Sequence, residues 1–158
     1  MPEQRGLIVI NVIGELDQAA LREYDRARSI ATLRGLINRL LRRSNDLLVL
    51  DSVLRGARLK SQHSLGIRAV PINEIIGSGG RADDFDRAFY PRRDVTQEKW
   101  ISVDKASRQG VPLPPVELRK VNEHYFVMDG HHRISVARRH GQRFIDAYVV
   151  EIIMTRRI

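Results

Sequence analysis

The densest chemistry in this sequence lies in Met128-Asp129-Gly130-His131-His132-Arg133-Ile134-Ser135-Val136-Ala137. A β-prone stretch ends there, Gly130 permits a tight turn, and a helix begins on His-His-Arg. The first backbone N–H groups of a helix have no intrahelical acceptor and carry the positive end of its dipole. That place suits an anion, and a phosphate can sit on main-chain amides alone. Arg133 would add a two-pronged charged contact. His131 and His132 would stay neutral beside the dipole and serve as donors or as base and acid, which makes His131 a candidate catalytic group. Two other readings fit the same spacing. Asp129 can be a plain N-cap with the histidines forming a wet first turn. Alternatively, His131, His132 or His140 can bind a metal with help from Asp129 or His124.

Gly77-Ser78-Gly79-Gly80-Arg81 is a second candidate. Its glycines can turn amides inward as an anion nest, with Arg81 beside them. It is no Walker loop, because no G-K-[ST] follows; a flexible surface loop is the competing reading. Asp83, Asp84 and Asp86 come directly after. Carboxylates of this kind, with phosphate oxygens, are what Mg²⁺ requires, and helix capping explains them equally well. Glu74 reads by itself as the exposed end of a strand. Phe85, Phe89, Tyr90 and Trp100 could stack on bases, but their neighbouring turn and helix signals point to core or lid packing.

These groups need a scaffold, and 158 residues with 42% hydrophobic and 29% charged content supply one. The absence of cysteine excludes disulfides, iron–sulfur clusters and thiol catalysis, and fits a cytoplasmic setting. No apolar run approaches the length of a membrane span, so no membrane partner is expected. The net charge of +8 favours polyanionic partners, yet both the stretch through Lys60 and the rest of the chain carry +4, so no basic tail stands out. Leu7 to Ile13 reads as a short strand or arm. Apolar residues at Leu16, Ala20, Tyr24, Ala27, Ala31, Ile37 and Leu41 then step by helical intervals. Leu47, Leu50, Leu54 and Ala57 predict a second helix over 46–60, giving an arginine-rich hairpin. The arginines at 22, 26, 34, 39, 42 and 43 are a solvated face or a surface for nucleic acid. Beyond this the pattern is α+β: a strand at 68–72, a helix from Thr96 stopping at Gly110, a proline connector, strands at 116–121 and 124–128 around Asn122-Glu123, a helix over 131–140, and a strand at 144–153. The expected organisation is a helical region, 1–62, and an α+β domain, 63–158.

The stretch from Val70 to Glu151 resembles the ParB N-terminal/sulfiredoxin-like superfamily. The resemblance rests on Val70-Pro71-Ile72, Arg81, the helix ending at Gly110, Pro115-Val116, Asp129-Gly130-His131-His132-Arg133, Ala137, Gly141, and Ile145 to Val150. It implies a small mixed sheet with helices. In that superfamily the turn holds nucleotide phosphates: CTP in chromosome-partitioning ParB proteins, ATP in sulfiredoxins, ADP in free-serine kinases, whose turn reads D-G-H-T-R. The resemblance therefore implies a CTP-, ATP- or ADP-type ligand with Mg²⁺, held by Arg81, Asp129, Gly130, His131, His132 and Arg133. Sulfiredoxin chemistry is excluded, since its cysteine falls where His131 stands. The helix-turn-helix domain and dimerisation tail of ParB proteins are not expected, the chain ending at Ile158. Turnover stays open, as an NTPase or as a small-molecule phosphotransferase using Glu74 or a histidine as base. A DNA-binding regulator using the basic hairpin is a further alternative, and the hairpin could equally join two copies of the chain. The nucleotide reading requires an open corner at the turn and an Arg133 not tied to an internal partner.

Overall fold

A computed structural model describes the backbone of residues 3–155 and the side chains of residues 12–155. Its first element, α1 (Glu3–Leu40), is one continuous helix. Ala20, Tyr24, Ala27 and Ala31 form its buried stripe, at helical spacing of three or four. Tyr24 meets Trp100 edge to face with ring centroids 5.6 Å apart. Its hydroxyl donates to the Arg93 carbonyl at 3.1 Å, which seats α1 on the body. The arm expected over Leu7 to Ile13 is thus helix, running without a break into the turns beyond Gly14.

The predicted second helix over 46–60 does not form. In its place are β1 (Leu48–Val49), the five-residue α2 (Leu50–Leu54) and the beginning of β2 (Arg58–Pro71). The helical spacing of Leu47 and Leu50 is real, and both are buried. Gly56, at φ +82°, stops the helix. Residues from Arg58 onward then pair with the end of β6 (Phe144–Thr155), a long-range ladder that overrides local helix preference. Among the described residues there is no helical hairpin, and the division expected at residue 62 falls inside β2.

The remaining elements are β3 (Ile75–Ser78), α3 (Gln97–Arg108), β4 (Val116–Val121), β5 (His124–Asp129) and α4 (His131–Arg139). The protein is α+β, with a six-stranded mixed sheet in the order β1-β3-β5-β4-β6-β2. β1 with β3, β3 with β5 and β4 with β6 are parallel; β4 with β5 and β2 with β6 are antiparallel. β2 lies at one edge, and its register slips at Leu59/Ser61 and Ser64/Gly66. Asn122, at φ +54°, makes the tight β4–β5 turn. The main core gathers Val116, Leu118, Val127, Ala147 and Val149 of the sheet under Trp100 of α3 and Ile134 of α4, with Phe85 and Phe89 from the preceding loop. These aromatics are thus core, not a stacking platform: Phe85, Phe89 and Trp100 are at most 1% exposed. The Trp100 indole donates to the Ser135 hydroxyl at 2.8 Å and ties α3 to α4. Phe126 faces a smaller cluster with Leu50, Val121 and Ile152.

Candidate functional site

β5 ends at Asp129, and the chain turns through Gly130 at φ +102° into α4. Only glycine fits there twice over: a Cβ would lie 2.4 Å from Val116 Cγ1, and the backbone is left-handed. Gly130 is the N-cap and no side chain caps it. Asp129 is therefore not the helix cap. The amides of His131, His132 and Arg133 lack intrahelical acceptors by the geometry of any α-helix start. They open on a cavity of about 190 Å³ bounded by Arg81, Lys99, Val103 and Met128, with residues 129–133 as its floor. Arg81, Asp129, Gly130, His131, His132 and Arg133 thus line one cavity.

Two cations overlook this corner. Arg81 has its Nε held by Asp84 Oδ2 at 2.9 Å, and its side chain is 44% exposed. Lys99 projects from α3, one turn before Val103. Both histidines are buried. Burial, then the nearby Arg81, pushes His131 down to about 4. Burial, Arg81, Lys99 and His131 push His132 down to about 4. Neutral rings in a positive field are N–H donors, not further cations. His131 Nε2 lies 2.7 Å from the Ser78 hydroxyl, which accepts from the Gly80 amide at 3.0 Å. Its ring stacks on Phe85 at 6.0 Å. His131 therefore anchors β3 to α4. His132 Nε2 is buried with no hydrogen-bond partner, an unsatisfied polar atom of a kind that folded proteins rarely leave.

Arg133 has another occupation. Its Nη1 donates to the Pro114 and Pro115 carbonyls at 2.6 and 2.8 Å, and its Nη2 to Asp129 Oδ2 at 2.6 Å. The guanidinium locks the proline connector against the turn, so the free forked contact expected of it is absent. Gly77 and Ser78 are buried in β3, leaving only Gly79 and Gly80 as loop. Asp84 accepts from Arg81 and from Arg93 at 3.4 Å, and Asp83 is exposed beside it. Asp86, fully buried, takes Arg34, Asn45 and the amides of Ala88 and Tyr90. Asp84 and Asp86 are ties within the fold. Among the described residues no group of three or more His, Asp or Glu side chains could hold a metal ion, so a histidine site at His131, His132 and His140 does not fit. Glu74 lines a different cavity of about 650 Å³, with Arg34, Tyr90 and Arg138. Arg138 lies at the far end of α4, about 10 Å along the axis from His131. A base at Glu74 and a phosphate at Gly130 are not brought together.

Lys99 is the residue that sequence reasoning misses. Its signal was faint: it precedes buried Trp100 and stands four residues before Val103, a spacing that places both on the α3 face flanking the core.

The fold and site define an α+β protein with an uncapped, cation-flanked helix start at the end of an interior strand of its sheet. Among solved structures the chain is similar to the crystal structure of sulfiredoxin from Arabidopsis thaliana, at 19% identity and a TM-score of 0.40 over 52% of this chain and 82% of that one. No family model matches the chain. No curated protein matches it. No helix among the described residues is long and apolar enough to cross a membrane.

Proposed function

We propose that this chain binds a phosphate-bearing ligand at the turn between β5 and α4, through main-chain amides, Arg81 and Lys99 and without Arg133, whose internal ties remove the arginine contact that the nucleotide reading required. One observation carries the reading: the uncapped start of α4 and two cations, Arg81 and Lys99, line a single cavity. Each supplies donors or positive charge to an oxyanion, and the carboxylates nearby, Asp129 and Asp84, are each paired with an arginine. The cavity accommodates a phosphate group with part of its neighbour, so a base would lie outside it, along the α3 flank. A nucleotide is what the Asp129–Arg133 motif implies through its resemblance to ParB-like and free-serine-kinase turns. Arg133 acts here as a positioning residue. Any Mg²⁺ would arrive on the phosphate oxygens. Phosphoryl transfer is less well supported than binding, because Glu74 is remote from the corner.

Thermal unfolding with CTP, ATP, ADP, GTP and pyrophosphate, each with Mg²⁺, tests the reading. A ligand at about 100 times its Kd stabilises by roughly 2.7 kcal/mol, a Tm rise of about 8 °C for a chain of this size. Arg81→Ala and Lys99→Ala should each remove most of that rise, and Arg39→Ala none of it. No rise with any of these anions, or equal rises in all three variants, would dispose of the site.

A further inference from the structure

The long helix α1 carries, on both sides of its seat, apolar residues that the described residues leave bare. Residues 20–31 seat it on the body. On the N-terminal side of that seat Val12 and Ile13 are 49% and 48% exposed, and the sequence from Leu7 to Ile13 is apolar except for Asn11. A helical segment that is apolar all round belongs against a partner. On the other side Leu33, Leu36, Ile37 and Leu40 follow one another by three, one and three residues and form one exposed stripe, Leu36 at 61% and Leu40 at 84%. Such a stripe is the face one helix offers another. Positions 12 and 40 stand about 42 Å apart along one unbroken helix, so neither surface can fold back to cover the other.

Charge divides along the same axis. From 12 to 25 the helix has Glu15, Asp17, Glu23 and Asp25 against Arg22 alone; from 26 to 43 every charged residue is an arginine. Asp17 and Glu23 pair with Lys105 and Arg139 of the same chain, which leaves Glu15 and Asp25 facing outward. Likewise Arg28 and Arg34 pair with Asp94 and Asp86, while Arg39, Arg42 and Arg43 are exposed. A second copy in parallel would set arginine against arginine. An antiparallel copy sets the arginine end of each helix against the acidic, apolar beginning of the other, twice over, about a two-fold axis that closes the assembly. We propose that this chain forms a homodimer by antiparallel pairing of α1, the turn carrying Val12 and Ile13 of one copy packing on the Leu33–Leu40 stripe of its partner.

The sequence has no cysteine, so Val12→Cys and Leu40→Cys each introduce a single thiol. Sedimentation of the full chain should give the dimer mass. A short bis-maleimide should join Val12→Cys to Leu40→Cys in a mixture of the two variants and join Leu40→Cys to itself poorly. Leu36→Asp and Leu40→Asp alter positions exposed on the single chain, so each should keep the parent's fold by circular dichroism and weaken association by about 30-fold or more. A monomer at about 100 µM would overturn the proposal, as would self-joining of Leu40→Cys or a dimer indifferent to both aspartates. So would a monomer that binds duplex DNA through Arg39, Arg42 and Arg43, which would give that helix end a different partner.

Discussion

Replacing Gly130 by alanine tests whether the corner is held as tightly as its geometry says. The new methyl would stand 2.4 Å from Val116 Cγ1 and 2.8 Å from its Cβ, and Val116 is itself wholly buried. The left-handed backbone at φ +102° costs a non-glycine residue about 1 kcal/mol, and forcing a methyl into a filled core costs about 2 kcal/mol. The total of about 3 kcal/mol should lower Tm by about 9 °C in a chain of this length. Gly80→Ala is the matched control: nothing lies within 4 Å of its Cβ and its φ is ordinary, so it should melt within about 1 °C of the parent. The two parts of the cost separate in a double-mutant cycle. Val116→Ala opens room for the methyl but leaves the backbone strain, so Gly130→Ala with Val116→Ala should be at least about 1 kcal/mol more stable than the sum of the single changes. A Gly130→Ala protein that melts with the parent would refute the packing argument, and with it the claim that the α4 amides are held in place before a ligand arrives.

Acid should unfold the protein earlier than its surface charge would suggest. His131 and His132 sit near 4 in the folded chain against an ordinary 6.5; their contribution is complete above about 6.5 and is lost as pH falls toward 4, since the unfolded chain takes up both protons first. Denaturation midpoints between pH 7 and 4.5 should drop steeply, and His132→Gln should flatten the slope; a flat parental profile would contradict the burial of the rings. Asp86→Ala strips four donors of a fully buried acceptor and should cost about 3 kcal/mol in chemical denaturation, whereas a cost below about 1 kcal/mol would show the carboxylate to be dispensable. Arg133→Ala should destabilise by about 2 kcal/mol through the freed Pro114 and Pro115 carbonyls. If Arg133→Ala abolished phosphate binding at unchanged Tm, the arginine would be a ligand after all.

What the sequence disclosed depended on how local the cause was. The β5–Gly130–α4 turn was legible because its requirement is local: a glycine where φ is positive, between a β-prone run and a helix start. The α3 helix stopping at Gly110 and the Asn122 turn obey the same rule. The helix predicted over 46–60 failed because its apolar spacing is equally served by a short strand and one helical turn, and the choice was made by β6, nearly a hundred residues away. The Arg133 side chain was misjudged for a related reason. A guanidinium beside a helix start can face a ligand or its own chain, and two proline carbonyls 18 and 19 residues upstream took it. Glu74 and the Asp83–Asp86 cluster were read from proximity in sequence. Glu74 lines another cavity and Asp86 is buried in its own network, while Asp84 stays beside the corner as the partner of Arg81.

The two slips in β2 bear on how the protein keeps to itself. An outer strand of 14 residues shows one row of unsatisfied main-chain groups to the surroundings, a template for runaway growth when identical molecules are crowded. Each slip puts a twist into that rim, and Arg58, Lys60 and Arg68 crowd it with like charge. Two such rims can match for only a few residues before they diverge. The irregular ladder thus works as a guard against fibre formation, and a smoother β2 would be the riskier strand.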